Sequence, residues 1–148
     1  MQYHYKVKDL MSSDPVIIDQ NATLKEAAEK MLLVGCGAIP VGTPEQVLGI
    51  VTDRDIAVRA VASGKDPLKT KVSEIMTGQV FFVNENTTLN QALDVIKRQK
   101  ISRVLVKDMK GKMTGILSLN ALIRDNAETQ DLSAFVSRLA DKIFRKAA

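Results

Sequence analysis

The chain has 148 residues with a net charge of +4; 45% of its residues are hydrophobic and 26% are charged. This length suits one ordinary domain with a real core. No segment approaches the roughly 18 to 20 continuous apolar residues of a membrane span, and the first residues lack the apolar core of a signal peptide. We therefore expect a cytoplasmic protein with no membrane span.

The same composition excludes several function classes. The sequence contains one histidine, His4, and one cysteine, Cys36, so a single chain cannot assemble a His/Cys metal cluster or a histidine-based catalytic triad. Basic residues are dispersed among acidic ones and tryptophan is absent. Nucleic-acid binding is therefore not expected.

The sequence repeats itself. Lys6-Val7-Lys8-Asp9-Leu10-Met11 reappears as Lys71-Val72-Ser73-Glu74-Ile75-Met76, and Gly49-Ile50-Val51-Thr52 reappears as Gly115-Ile116-Leu117-Ser118. A small unit that cannot bury its apolar face alone can bury it against its copy. We predict one repeat over residues 7–64, a connector over 65–71 and a second repeat over 72–127.

Each repeat predicts the element order β-α-β-β-α. In the first, residues 16–18 read as a strand, and Thr23 with Glu26 has capping-box spacing at the start of a helix. Strands over 38–41 and 47–52 and a helix over 53–62 follow. The apolar stripe expected on the first helix comprises Leu24, Ala27, Ala28, Met31 and Leu32.

In the second repeat the predicted elements are a strand over 80–83, a helix from Thr88 with Gln91 at capping-box distance, and a hairpin of strands 104–106 and 113–117. A further amphipathic helix is expected over 131–146. We interpret it as a surface helix docked on its own module or on a dimer partner; binding to a membrane surface or to a partner helix stays open.

These motifs resemble the cystathionine-β-synthase (CBS) domain family. The segment that leads into each repeat, residues 6–11 and 71–76, is called its lead-in. The features that carry the resemblance are Met11 and Met76 at the ends of the lead-ins, Gly-Ala-Ile-Pro-Val at 37–41 and Gly-Ile-Val-Thr-Asp-Arg-Asp-Ile at 49–56. The pair looks like a Bateman module of the stand-alone prokaryotic type. The resemblance implies an α/β (α+β) fold, with two repeats packed face to face in pseudo-two-fold symmetry. It also implies a regulatory module that binds an adenosine-containing ligand in the cleft between its repeats.

Thr52 and Asp55 stand at a strand-to-helix junction, where free backbone N–H groups favour an anion. The Thr52 hydroxyl can donate to a phosphate, and the Asp55 carboxylate can accept from both hydroxyls of a ribose. The resemblance assigns these same roles to them. The alternative is that both residues are ordinary helix caps.

The second repeat departs from this motif. Ser118 keeps the hydroxyl, but Ala121 stands where Asp55 stood; conversely, Arg103 stands where the first repeat has Ala38. Ser102-Arg103 resembles the phosphate-contacting His-Arg pair of the energy-sensing subunit of AMP-activated protein kinase, with serine replacing histidine. By resemblance, Asp55 and Arg103 belong to one competent site, and the other site is vestigial.

The resemblance also assigns the adenine wall of this site. It would involve Phe81 and Ile101, with Thr77 nearby, and plain core packing is the alternative for Phe81 and Ile101.

The resulting hypothesis is a non-enzymatic sensor of AMP, ADP, ATP or S-adenosylmethionine that requires no metal. It would form a homodimer through its CBS repeats, with a flat disc-like shape implied by the family, and would signal to an unidentified protein partner. The alternative hypothesis is a structural interaction module with an empty cleft. An enzyme is not expected, because nothing near Asp53 and Asp55 completes a nucleophile or metal constellation.

Overall fold

The structure, a computed structural model, describes residues 4–125 and 130–144. The chain forms two compact units, a continuous unit, Pro15–Val80, and a discontinuous unit, Met1–Asp14 with Phe81–Ala148. In chain order the described elements are α1 (Val7–Leu10), β1 (Ser12–Ser13), α2 (Leu24–Val34), β2 (Ala38–Gly42), β3 (Val47–Thr52), α3 (Asp53–Asp55), a π-helix (Ile56–Val61), a 3₁₀-helix (Val72–Glu74), β4 (Phe82–Asn84), α4 (Leu89–Gln99), β5 (Arg103–Lys107), β6 (Met113–Ser118), α5 (Leu119–Asp125) and α6 (Gln130–Phe144). The prediction of a mixed α/β chain with a C-terminal helix is confirmed.

The discontinuous unit is built on a four-stranded sheet in the order β1-β6-β5-β4. β4 runs parallel to β5, and the other two pairings are antiparallel. Buried side chains from this sheet share one core with those of α4, α5 and α6; among them are Val104, Leu117, Leu93 and Leu122.

The continuous unit is centred on the antiparallel pair β2 and β3. Single bridges lie on either side of this pair, Ile18 to Val41 and Ile50 to Thr77. They occupy the positions that β4 and β1 have in the other unit, so both units follow one plan.

The strand predicted over residues 16–18 is wrong, because only Ile18 forms a bridge. In the second repeat the Leu105 N–H donates to the Phe81 carbonyl oxygen at 2.9 Å. The first repeat has Pro40 at the position of Leu105, and proline has no N–H to donate. The equivalent hydrogen bond therefore cannot form on the N-terminal side of Ile18 in the first repeat.

Both predicted capping boxes are present. Thr23 caps α2 with Glu26, and Thr88 caps α4 with Gln91. The predicted stripe on α2 is only partly right, because Ala28 and Leu32 are exposed while the other three members are buried. The helix predicted over 53–62 is a short α-turn that continues as the π-helix Ile56–Val61.

The lead-in segments pack crosswise with respect to the sequence repeats. The first, α1 and β1, belongs to the discontinuous unit with the second repeat, and the segment containing Val72–Glu74 belongs to the continuous unit with the first. A Cβ on Gly49 would lie 2.9 Å from Met76 Sδ, and a Cβ on Gly115 would lie 2.9 Å from Met11 Cγ. Each lead-in methionine thus covers a glycine of a β-strand from the other repeat.

The C-terminal helix is confirmed as Gln130–Phe144, and residues 145 and 146 of the predicted helix lie outside the described residues. Leu132, Val136 and Leu139 are buried in the core of the discontinuous unit. The helix is therefore docked on its own unit, which is one of the arrangements that its apolar stripe left open.

Candidate functional site

Thr52 and Asp55 form a reciprocal hydrogen-bonded pair where β3 passes into α3. The Asp55 N–H donates to Thr52 Oγ1 at 3.0 Å, and the Thr52 N–H donates to Asp55 Oδ2 at 3.0 Å. The capping role considered for both residues is thus present. Both side chains keep some capacity for further hydrogen bonds, because the Thr52 hydroxyl can still donate its proton and the Asp55 carboxylate has about four lone-pair positions.

Arg59 is a neighbour of this pair and is not among the predicted site residues. Its Nε lies 3.6 Å from Asp55 Oδ1. The Asp55 side chain is only 12% exposed, whereas that of Arg59 is 53% exposed. Its Nη1 lies 3.4 Å from the carbonyl oxygens of Ile75 and Met76. The spacing of four residues on a helix was the available signal. Arg59 therefore links the carboxylate to the lead-in that precedes Thr77.

Thr77 is brought beside β3. Its N–H donates to the Ile50 carbonyl oxygen at 2.9 Å, and the Ile50 N–H donates back at 3.0 Å. Ile50 precedes Thr52 by two residues on the same strand. The continuous unit therefore gathers three of the predicted site residues, Thr52, Asp55 and Thr77, around one strand end.

The second repeat has an equivalent junction with different side chains. The Ala121 N–H donates to Ser118 Oγ at 3.1 Å, so the hydroxyl cap remains, but Ala121 offers no carboxylate in return. In the strand register Arg103 faces Ser118, as Ala38 faces Thr52 in the first repeat. Arg103 is half-buried beside this junction.

The other predicted residues also lie in the discontinuous unit. Phe81 and Ile101 are partly buried against its core, which is the packing that the alternative interpretation described. The Ser102 carbonyl oxygen accepts the Leu119 N–H at 3.0 Å at the junction between β6 and α5. The predicted residues are therefore divided between the units: three in the continuous unit and Phe81, Ile101, Ser102 and Arg103 in the discontinuous unit.

In the parts of the chain that the structure describes, no group of three or more His, Cys, Asp or Glu residues could hold a metal ion. None of the helices there is long and apolar enough to cross a membrane.

Comparison with known proteins agrees with the duplicated plan. The model of the CBS domain matches residues 7–61 and again residues 72–128. The chain belongs to the CBS domain family. CBS domain-containing protein YhcV of Bacillus subtilis is 31% identical to it over 134 residues, which cover 90% of this chain and 94% of YhcV.

Two solved structures that are similar to this chain differ in what they contain. The CBS domain pair of protein MJ0100, in complex with 5-methylthioadenosine and S-adenosyl-L-methionine, is 26% identical, with a TM-score of 0.73 over 86% of this chain and 99% of that one. Hypoxic Response Protein I, with two coordinated zinc ions, is also 26% identical, with a TM-score of 0.69 over 81% of this chain and 98% of that one. One of these similar structures therefore holds adenosine compounds, and the other holds zinc ions.

Proposed function

We propose that this CBS pair is a non-enzymatic sensor of an adenosine-containing ligand. The observation that carries the proposal is the contrast between two equivalent strand-to-helix junctions. One holds Asp55 in a half-buried capping box, and the other holds Ala121. A carboxylate at such a junction can accept both hydroxyls of a ribose, whereas a methyl group accepts neither.

The roles proposed for the residues follow from their chemistry. Asp55 binds the ribose diol through its remaining lone pairs, and Thr52 donates its hydroxyl proton to a phosphate or other anionic oxygen. Arg103 supplies the cation for the same ligand, with Ser102 beside it. Phe81, Ile101 and Thr77 line the adenine. The junction of Ser118 and Ala121 is the vestigial counterpart.

Arg59 gives the proposed sensor a route for its signal. Its guanidinium contacts both the Asp55 carboxylate and the lead-in carbonyls of Ile75 and Met76. A ribose that engages Asp55 Oδ1 competes with Arg59 for the same oxygen. A ligand shifts the protein between two states only if it binds them with different affinity. A state in which Arg59 contacts Asp55 and a state in which it does not would differ in this way.

A thermal-shift and calorimetric screen of AMP, ADP, ATP and S-adenosylmethionine tests the proposal. At about one hundred times its dissociation constant, a bound ligand adds about 2.7 kcal/mol to the free energy of unfolding. We expect a shift with at least one of the four compounds. Asp55→Ala should reduce it, and Asp53→Ala, two residues away at the same helix start, should preserve it. No shift with any compound, or equal binding by Asp55→Ala, would contradict the proposal.

A second candidate function, protein interaction, is favoured by one surface of α2. Leu32 and Leu33 are 85% and 87% exposed there, and Val34 is 50% exposed. The second repeat has Lys97, Arg98 and Gln99 at the corresponding places. An exposed apolar cluster of this kind is typical of an interface, here with a second copy of the chain or with a partner.

Sedimentation analysis of the double variant Leu32→Lys/Leu33→Arg tests this candidate. Because the variant copies the polar side chains of the second repeat, we expect it to remain folded and to convert a homodimer into monomers. A dimer of unchanged strength would show that this surface is not the interface.

A further inference from the structure

A groove of about 330 Å³ lies between α4 and α6 of the discontinuous unit. This volume falls within the range of about 300 to 1,000 Å³ that is typical of small-molecule sites. Apolar side chains of Leu93, Leu139 and Phe135 line it, and the first two of them are almost completely buried. The groove is formed by residues of one compact unit and contains none of the residues assigned to the adenosine site.

Three cations surround this apolar floor. They are Lys97 of α4 and Arg138 and Lys142 of α6, all exposed, and Asp94 is the carboxylate among them. Among the side chains that the structure describes, none of the three cations forms an ion pair. The groove lining therefore has three cations and one carboxylate, a net charge of +2.

Helix stability accounts for only part of this charge. Lys97 and Lys142 lie in the last turns of their helices, where a cation complements the helix dipole. Arg138 lies outside the last turn of α6, and the dipole effect falls off within that turn. Arg138 and Lys142 are also four residues apart on one helix, a spacing at which like charges repel.

The groove is specific to the second repeat. At the positions of Leu93 and Lys97, the first repeat has Ala28 and Leu32, and α6 has no counterpart there. The repeat plan therefore does not require this lining. The charged rim and the apolar floor both depend on residues that differ between the copies.

We infer that the groove binds a phosphate monoester carried on an apolar or aromatic body. A phosphate monoester has a charge of about −1.5 to −2 at pH 7, which complements the excess of two cations. Arginine binds such a group through paired hydrogen bonds and lysine binds it as a point charge. Leu93, Leu139 and Phe135 accept the organic body. The inference is independent of the adenosine site.

Titration of the full chain with phenyl phosphate, followed through backbone amide NMR shifts, tests the site. We expect saturable shifts confined to α4 and α6. Inorganic phosphate, which lacks the apolar body, and phenol, which lacks the charge, should each bind more weakly. The variant Lys97→Gln/Arg138→Gln should weaken binding at least about tenfold. The matched control Arg98→Gln, which removes an exposed cation beside Lys97 and outside the groove, should change it less than about twofold.

Vesicles distinguish a lipid from a free ligand. Flotation with phosphatidate vesicles, against phosphatidylcholine vesicles, presents the same phosphate monoester at a membrane surface. Recruitment of the wild type, but not of the double variant, would assign the groove to a lipid headgroup; phenyl phosphate binding without recruitment would assign it to a free ligand. The inference is overturned if neither probe binds, if the double variant binds as the wild type does, or if inorganic phosphate binds as tightly as phenyl phosphate.

Discussion

Asp55 has structural contacts before any ligand reaches it. Its carboxylate accepts the Thr52 N–H and lies 3.6 Å from Arg59 Nε. The second repeat shows that a fold of the same plan tolerates alanine at this position, because Ser118 alone caps the start of α5. The loss of Asp55 should therefore be felt more by ligand binding than by folding.

The substitution Asp55→Ala should lower the stability of the protein only slightly. The substitution removes the reciprocal half of a capping box and a partly exposed ion pair, but Thr52 Oγ1 can still accept the backbone N–H of residue 55. We expect chemical denaturation to show a loss of about 1 kcal/mol in the free energy of unfolding. Asp53→Ala, which removes an exposed side chain, should cost less. A loss above about 3 kcal/mol would mean that Asp55 is primarily structural.

At the scale of the elements, the contact of each lead-in with a β-strand requires a glycine in that strand. A Cβ on Gly49 of β3 would lie 2.6 Å from the Thr77 carbonyl oxygen, which is backbone and cannot move aside cheaply. A Cβ on Gly78, one residue after Thr77, would meet nothing within 4 Å. The two glycines thus form a matched pair.

Thermal and chemical denaturation of Gly49→Ala and Gly78→Ala checks this contact. Gly49→Ala should lower the free energy of unfolding by about 1 to 3 kcal/mol, the usual cost of overpacking. Gly78→Ala should change it by less than about 0.5 kcal/mol. Equal effects of the two substitutions would show that β3 and the lead-in are not closely packed.

The docking of α6 gives a second prediction for the elements. Leu132 is buried in the core of the discontinuous unit, whereas Leu68 in the connector is exposed. Leu132→Ala should therefore cost about 2 to 5 kcal/mol in the free energy of unfolding, because it leaves a cavity, and Leu68→Ala should cost almost nothing. A Leu132→Ala variant of wild-type stability would contradict the docking of α6 and leave its apolar face available for a partner.

The sequence predicted those elements whose signals are local. Capping boxes at Thr23 and Thr88 and the β3 strand depend on residues close in the chain, and all are present. The prediction of a strand over 16–18 was wrong because such a strand needs hydrogen bonds from its partner strand. In that partner, Pro40 stands where the second repeat has a residue with a backbone N–H to donate. The burial predicted for Leu32 was wrong, since this side chain is exposed. Helical periodicity indicates an apolar stripe, but it does not show which members of the stripe another element covers.

For the whole molecule, the sequence repeats and the compact units do not coincide. Repeats were visible as matching segments, but the exchange of the lead-ins depends on contacts such as Met76 with Gly49, which are distant in the chain. The matched Met and Gly positions in both copies were the available signal. Arg59 was missed for a related reason, because its contacts with Ile75 and Met76 arise only once that lead-in has packed.

The proposed function depends on two differences between the copies, Asp55 against Ala121 and Arg103 against Ala38. Both differences could be recognised from the sequence alone. The strand registers of Ala38 with Thr52 and of Arg103 with Ser118 agree with the alignment on which it was based. The participation of Asp55 and Arg103 in one adenosine site stays a prediction. It implies that the chain has one functional ligand site, although it has two copies of the fold.

Isothermal titration calorimetry with the compound that gives the largest thermal shift tests this central claim most directly. It should be applied to the wild type, Asp55→Ala and Arg103→Ala, with circular dichroism to verify that each variant is folded. We expect one ligand per chain for the wild type and a loss of affinity of at least about tenfold in each variant, since each removes a charged contact to the same ligand. Two equivalent ligands per chain, or an affinity that either substitution leaves unchanged, would contradict the account.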